Sequence, residues 1–273
     1  MQAAAESLFA VFFPSECRLC GKSLTNISTL PVCTGCIDSM LPLEGPRCVV
    51  CGEYLVSSYQ LSLGDARCGE CSREDPLFER AMAYGAYHSG LRELVHLLKY
   101  ARIRPAAKVM GRMLADAITD LAPEFDKVPP LVVPVPLHRG RLRERGFNQA
   151  ESIAREAAKL RPAGLKLDVS AMAMMRKRQT ETQTGLTREE RRRNLRGAFS
   201  VLREDEIKGR DVLLVDDVMT SGATAAECAR VLRAAGARYV WVATVARTLK
   251  ETSTFVAPQL ELQQTFGATA GAS

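Results

Sequence analysis

The sequence lacks any apolar run that approaches the roughly 18 residues needed to cross a bilayer. Its longest apolar stretch near the N-terminus, residues 8–14, is short, and no basic segment precedes it. The stretch therefore has neither the basic region nor the cleavage pattern of a signal peptide. These absences predict a cytoplasmic protein with no membrane span.

Aromatic residues are also sparse, at 6% of 273 residues, and apart from Phe147 few of them lie among basic residues. Stacking of bases on aromatic rings supplies much of the affinity of single-stranded nucleic-acid binders. A purely structural nucleic-acid-binding protein is therefore a weak interpretation. The hydrophobic content of 47% and the charged content of 25% are ordinary for a globular protein.

Cysteine, by contrast, is abundant, with nine residues in a chain for which a reducing compartment is expected. Disulfides are rare there, so metal ligation is the better prediction. Eight of the cysteines form four Cys-x-x-Cys pairs: Cys17 and Cys20, Cys33 and Cys36, Cys48 and Cys51, Cys68 and Cys71. The ninth, Cys228, lies in a helical pattern and is predicted to be a small core residue.

Two residues between thiolates let both sulfurs reach one tetrahedral ion, with Zn–S bonds of about 2.3 Å. Gly21 and Gly52 directly follow the second cysteine of each leading pair, where a zinc knuckle bends the backbone. This favours two zinc ribbons in series, although a cross-braced pairing of the quartets stays open. Four thiolates close the coordination sphere, so both zinc ions are predicted to be structural and to fold the module.

Three regions follow from the pattern: a cysteine-rich double ribbon in residues 1–75, an α/β domain in 76–248, and a disordered tail in 249–273. The α/β domain alternates helical and β-branched segments, which predicts a parallel sheet flanked by helices. Predicted strands cover residues 131–135, 170–175, 211–215 and 239–245; predicted helices cover two stretches within 89–118, broken near Pro105, then 148–160 and 223–235.

The segment from Asp211 to Thr224 carries the strongest chemical signal. A hydrophobic strand leads to Asp216 and Asp217, and the small residues Thr220, Ser221, Gly222, Ala223 and Thr224 follow at the start of a helix. Backbone N–H groups at a helix N-terminus suit a phosphate. The acids lie upstream of these groups and suit ribose hydroxyls or the water shell of a Mg²⁺ ion.

This segment resembles the signature of the type I phosphoribosyltransferases, which it matches over residues 212–224 without a gap. The resemblance implies that Asp216 and Asp217 contact ribose hydroxyls of 5-phosphoribosyl-1-diphosphate, and that residues 220–224 cradle its 5-phosphate. Residues 133–149, Arg178-x-Thr180-x-x-Gln183, Arg191-x-x-Asn194 and Ala198-Phe199 look like the ComF/GntX family. That family joins a cysteine ribbon to a phosphoribosyltransferase-like domain and includes competence proteins; the resemblance spans nearly residues 17–247.

Two basic segments, 138–146 and 176–196, carry net charges of +3 and +5 in a chain whose total is +6. Such concentration points to an anionic ligand. The resemblance places pyrophosphate at the first segment and a flexible, closing loop at the second. The candidates are Leu137, His138, Arg139 and Gly140 for pyrophosphate, and Arg178, Thr180, Gln183, Arg191 and Asn194 for the loop. A solvated charged loop and a surface histidine remain the alternatives.

Three functions follow in order of preference. The first is a Mg²⁺-dependent phosphoribosyltransferase acting in competence or DNA uptake. The second is a non-catalytic protein of the competence machinery that binds a nucleotide ligand or single-stranded DNA. The third is structural nucleic-acid binding through the ribbon and the basic loops.

Overall fold

The computed structural model of the chain describes residues 15–24, 29–55, 66–126, 128–178 and 188–249. The predicted tail lies outside these residues from position 250 onward. In chain order the elements are β1 (Ser15–Glu16), β2 (Ser23–Leu24), α1 (Thr34–Asp38), α2 (Gly69–Arg73), β3 (Ala81–Ala86), α3 (Ser89–Lys99), α4 (Ala106–Leu121), a 3-10 turn (Ala122–Glu124), β4 (Leu131–Pro134), α5 (Arg139–Arg145), α6 (Gln149–Lys159), a 3-10 turn (Pro162–Gly164), β5 (Met174–Arg176), α7 (Arg188–Leu195), β6 (Phe199–Val201), α8 (Glu204–Ile207), β7 (Val212–Met219), α9 (Ala223–Ala234) and β8 (Val240–Arg247).

The principal sheet has the strand order β3-β8-β7-β4, and each neighbouring pair is parallel. Val212 of β7 pairs with Leu131 of β4 on one side and with Val240 of β8 on the other. A separate hairpin joins β5 and β6 in antiparallel register. The predicted parallel sheet flanked by helices is therefore confirmed.

Alternate residues of the strands enter two separate cores, as the two-residue repeat of a strand requires. Leu213 and Val215 face the core that contains α3, α4 and α6, whereas Val212 and Leu214 face the core that contains α9. Cys228 is fully buried in the second core, which confirms its predicted place.

Several strands differ from the sequence-based prediction, and one of them, β6, was not predicted at all. β7 extends to Met219, so that Asp216 and Asp217 lie inside the strand and not after its end. β5 begins only at Met174, and before it Val169 makes a single bridge to β4. β3 was not predicted, because Ala and Gly make up four of its six residues and give little β propensity.

The predicted break at Pro105 is confirmed, since α3 ends at Lys99 and α4 begins at Ala106. α6 begins after Asn148, whose side-chain oxygen accepts a hydrogen bond from the Ala150 N–H at 3.1 Å. The side-chain amide of Asn148 also donates to the Val135 carbonyl at 3.0 Å. This residue therefore fixes the start of α6 to the segment that leaves β4.

The ribbons pack on the α/β domain through backbone hydrogen bonds. Leu43 N–H donates to the Tyr84 carbonyl at 2.6 Å, and Ala81 N–H donates to the Val50 carbonyl at 2.7 Å. The domain boundaries at residues 75 and 248 stay predictions.

A test of the helical layer concerns Gly111 of α4, where α6 approaches closely. A Cβ atom there would lie 2.5 Å from the Glu156 Cβ and 3.1 Å from the Ala157 nitrogen. Gly111→Ala should lower the free energy of unfolding by about 1–3 kcal/mol, because overpacking outweighs the gain in helix propensity. Urea denaturation would measure this, with the exposed Lys108→Ala on the same helix as control; an equal or higher stability would contradict the packing.

Candidate functional site

The carboxyl ends of β4 and β7 meet at one edge of the sheet. Pro134 pairs with Val215, and just beyond it the Val135 N–H donates to the Val215 carbonyl at 2.8 Å. Ligands of α/β proteins bind at this edge of a parallel sheet. The two loops predicted to bind pyrophosphate and phosphate therefore lie side by side.

The phosphate loop connects β7 to α9. It contains the five predicted residues Thr220, Ser221, Gly222, Ala223 and Thr224. Gly222 has φ of +78°, a conformation that favours glycine, and α9 starts at the next residue. The 12-residue α9 thus presents its first N–H groups at the sheet edge, where an anion is favoured.

The two acids of β7 have different partners. Asp217 is 3% exposed; its Oδ2 lies 2.6 Å from the Lys99 Nζ, and its Oδ1 accepts the Val218 N–H at 2.8 Å. Asp216 is partly exposed, and its Oδ1 accepts the Asp217 N–H at 2.9 Å. Asp216 is therefore the more accessible acid, whereas both oxygens of Asp217 are already engaged.

Sequence reasoning missed Lys99, which stands at the end of α3. Burial alone would lower the pKa of its ammonium group, but the Asp217 carboxylate raises it above its ordinary value. No local signal identified this residue, because a lysine in the last turn of a helix is common for helix-dipole reasons alone. The ion pair joins α3 to the strand that carries the candidate site.

Asp216 is surrounded differently. Although Asp216 keeps part of its surface exposed, the protein atoms packed around it desolvate its carboxyl group. This desolvation, and then the neighbouring Asp217 carboxylate, raise the pKa of Asp216 to about 8, against the opposing effect of Lys99. Arg176 at the end of β5 is a second residue that sequence reasoning missed. Burial lowers the pKa of its guanidinium group, and the Asp216 carboxylate opposes this effect. The Arg176 guanidinium also lies 5.4 Å from the ring centroid of Phe199, its partner in the last residue pair before the segment that connects β5 to β6.

The predicted pyrophosphate residues straddle the start of α5. His138 is the N-cap, and its Nδ1 accepts the Gly140 N–H at 3.2 Å. Arg139 and Gly140 therefore belong to the first turn of a helix, which was not predicted because α5 has no buried face. Leu137 lies just before it, in the segment that leaves β4.

The predicted flexible loop lies between β5 and β6. Arg178 donates to the carbonyls of Asn194 at 2.8 Å and Arg196 at 3.2 Å, which joins the two ends of this segment. Arg191 is a residue of α7. Thr180 and Gln183 lie outside the described residues.

The eight N-terminal cysteines form two quartets, each with its sulfur atoms within 4.8 Å of one another. Zn–S bonds of about 2.3 Å at tetrahedral angles put neighbouring sulfurs about 3.8 Å apart. The sulfur of Cys17 lies 3.8 Å from that of Cys36, and the sulfurs of Cys51 and Cys68 are 3.6 Å apart. The quartets therefore fit zinc, and their members follow the sequential pairing; the cross-braced alternative is wrong.

The two quartets are built alike. Gly21 and Gly52 both have φ of +71°, and their N–H groups donate to the carbonyls of Cys17 and Cys48. Cys33 and Cys68 are the N-caps of the short helices α1 and α2. Four thiolates leave no open position for substrate, so these are structural sites.

Comparison with known proteins agrees with both parts of the chain. A family profile described as a phosphoribosyl transferase domain matches residues 102–266, and one described as a double zinc ribbon domain matches residues 8–72. Competence protein F of Haemophilus influenzae is 31% identical over 240 residues, which cover 86% of this chain and 98% of that protein. This chain belongs to the ComF/GntX family.

Two further relatives extend the comparison. DNA utilization protein YhgH of Escherichia coli is 31% identical over 242 residues, with 86% of this chain and 98% of that protein covered. Competence protein ComFC of Bacillus subtilis is 25% identical over 211 residues, with 74% and 77% covered. The family assignment predicted from the motifs is confirmed.

This ComF/GntX protein also has a basic surface with aromatic rings beside the acid pair, formed by residues 100–104 and 139–147. The Arg145 guanidinium lies 5.9 Å from the ring centroid of Tyr100, and Arg104 lies 5.1 Å from that of Phe147. Tyr100 is 69% exposed. The sequence did not reveal this surface, because Tyr100 and the α5 arginines come from separate segments.

None of the described helices of the ComF/GntX protein is long and apolar enough to span a membrane.

The pKa of Asp216 generates a test of the site. Because its folded-state pKa lies above the ordinary value, ionisation of Asp216 destabilises the fold as pH rises from about 4 to about 8. The Asn side chain of Asp216→Asn cannot ionise. The melting temperature of the wild type should therefore fall more than that of the variant when the pH is raised from about 5 to about 9. Thermal melts of the zinc-loaded proteins measure this, with the exposed Asp205→Asn as control. Parallel curves for wild type and Asp216→Asn would contradict the assignment.

Proposed function

We propose that this protein binds 5-phosphoribosyl-1-diphosphate together with Mg²⁺. The observation that carries the proposal is the meeting of the acid pair, the phosphate loop and the basic segment at one edge of the sheet. Residues 220–224 would hold the 5-phosphate, the acid pair would hold the ribose hydroxyls, and residues 137–140 would hold the diphosphate. The match to a phosphoribosyl transferase profile supports these roles.

The arrangement of charges supports a division of work within the acid pair. Lys99 neutralises Asp217 and holds it in place, so Asp216 is the acid available to a ligand. Carboxylate oxygens suit Mg²⁺, which commonly binds through one or two carboxylates and the phosphates of its substrate. A cation bound beside Asp216 would lower the pKa of its carboxyl group and so favour the ionised form. When bound, Mg²⁺ would neutralise charge on the diphosphate.

We further propose that the bound ligand can transfer its ribose-5-phosphate group. The bond between C1 and the diphosphate oxygen breaks, pyrophosphate leaves with the electron pair, and a nucleophile that loses a proton bonds to C1. The chain's own contribution is positional and electrostatic: Asp216 orients the ribose, and the arginines of α5 stabilise the charge of the departing group. The segment between β5 and β6 would exclude water by closing over the site.

The names of the relatives support a biological setting. Proteins of Haemophilus influenzae and Bacillus subtilis are named as competence proteins, and that of Escherichia coli as a DNA utilization protein. We therefore propose that this chain acts in the cytoplasm, in DNA uptake or use, with other competence proteins as partners.

Calorimetric titration tests the ligand assignment. Phosphoribosyl diphosphate with Mg²⁺ should bind the zinc-loaded wild type, whereas Asp216→Asn should lose binding and keep its fold, because Asp217 retains its ion pair with Lys99. Gly222→Val should also lose binding, because φ of +78° disfavours a side chain and an added Cβ would lie 2.9 Å from the terminal carbon of Met219, so the phosphate loop would have to shift. Asp205→Asn is the control. Absence of wild-type binding at millimolar ligand would refute the proposal; binding would justify a screen of acceptors for pyrophosphate release.

A second candidate is single-stranded DNA binding on the surface that contains Tyr100. Its exposed ring and the arginines of α5 combine stacking with phosphate contacts, as single-strand binders do. In this version the ribose site would serve sensing without turnover.

The second candidate predicts that Tyr100→Ala weakens single-stranded DNA binding by about 1–3 kcal/mol, the typical contribution of one stacked base. Tyr239→Ala is the matched control, because Tyr239 also lies near arginines but at the other end of the sheet. Fluorescence anisotropy at low and moderate salt would measure both, and affinity should fall steeply with salt. Equal effects of the two substitutions, or no binding at low salt, would exclude this candidate.

A further inference from the structure

The two zinc ribbons differ in how they relate to the rest of the molecule. All four thiolates of the second quartet are buried, whereas in the first quartet Cys20 is exposed and only Cys17 is buried. Since the quartets have the same local design, the difference comes from the surroundings. The second quartet is enclosed by the α/β domain.

Arg247, the last residue of β8, bonds directly to the second ribbon. Its Nη1 donates to the Cys51 carbonyl at 2.7 Å, and its Nη2 donates to the Glu53 carboxylate at 2.8 Å. The same Nη2 lies 3.8 Å from the Cys51 sulfur. Arg247 is 3% exposed and Glu53 is 7% exposed, so the ion pair is buried on both sides. A buried pair of this kind tolerates little displacement of either partner.

The same end of β8 is attached to the phosphate loop. Arg247 pairs with Met219 of β7, and the Thr248 N–H donates to the Met219 carbonyl at 3.0 Å. The side chain of Met219 reaches Gly222, where an added Cβ would meet its terminal carbon at 2.9 Å. Arg247 and Met219 thus connect the second quartet with the loop that precedes α9.

A cavity of about 340 Å³ lies between the second quartet and this loop. Cys51 and Cys71 line one side, Ser221 and Gly222 line the other, and Arg193 and Arg196 contribute cations. Three acids also belong to its wall: Glu227 pairs with Arg230, Asp75 pairs with Arg67, and Glu74 is the third. The cavity therefore offers its loop N–H groups and arginines to an anionic group.

We propose that Arg247 is a positioning residue that holds the second zinc ribbon in place, so that the ribbon forms a fixed wall of the ligand cavity. The cavity binds the phosphate-bearing end of a phosphorylated ribose. The inference rests on the proposed function, and it adds that the second zinc site and the phosphate site are coupled. The first zinc site, whose Cys17 belongs to the core that contains α3, α4 and α6, is not coupled to the ligand. Because coupling is reciprocal, the ligand should strengthen zinc binding at the second quartet.

The experiment measures zinc affinity by equilibrium competition with a coloured zinc chelator, with and without ribose 5-phosphate. This probe lacks the diphosphate that would itself bind zinc. A Cys20→Ser variant, which disables the first quartet, isolates the second zinc ion, and the wild type with two ions provides the comparison. Saturating probe should raise zinc affinity at the second quartet about 5-fold or more, and leave the first unchanged.

Variants of the ion pair sharpen this test. Arg247→Met should abolish the coupling and weaken ribose 5-phosphate binding in direct titration, and Arg247→Lys should restore part of both. Glu53→Gln is the milder variant, should Arg247→Met fail to fold. Arg80→Met is the matched control, because the Arg80 side chain forms a partly exposed ion pair with Glu124, which lies in the 3-10 turn after α4.

The outcomes separate the two proposals. If ribose 5-phosphate binds but leaves zinc affinity at the second quartet unchanged, the inference is overturned while the proposed function stands. The same conclusion follows if Arg247→Met and Arg80→Met bind the probe equally well. If neither ribose 5-phosphate nor phosphoribosyl diphosphate binds the wild type, both proposals fail.

Discussion

The parallel pairing of β7 with β4 and β8 is the constraint on which the rest of the molecule depends. It brings the carboxyl ends of three strands to one edge, so that the loop before α5, the phosphate loop and Arg247 become neighbours. β7 also has to carry two adjacent acids, one of which, Asp217, is buried. Lys99 makes this tolerable for Asp217 by supplying the opposite charge, because an unpaired buried carboxylate is costly.

Features that depend on short stretches of chain could be predicted from the sequence. The Cys-x-x-Cys pairs, the knuckle glycines and the phosphate loop each occupy a few consecutive residues, and their geometry follows from local rules. The break before α4 is local too, since Pro105 sets it. The alternation of strands and helices was sufficient for the sheet, although not for β3, whose small residues resemble a loop.

Contacts between distant segments could not be predicted in this way. Lys99 and Arg176 come near the acid pair only when α3 and β5 pack against the rest of the domain. Neither residue belongs to a sequence motif that would indicate a role in the site. α5 escaped prediction for a different reason, since all of it is exposed or nearly so and no apolar periodicity marks it. The sequence alone also could not decide which Cys-x-x-Cys pairs share a zinc ion, because the sequential and the cross-braced arrangements are both compatible with the spacing. The structure was needed to decide between them.

The bond between Arg247 and Cys51 also has a consequence for the order of folding. The two residues are 196 positions apart, and β3, which follows the ribbons, pairs with β8 in the described sheet. During synthesis, an N-terminal ribbon can acquire its metal early, but its permanent neighbours emerge last. Contacts of such long sequence separation form slowly and leave apolar surface uncovered in the meantime. The nascent chain therefore presents its second ribbon to the cell, and to chaperones, until the final strand of the sheet is made.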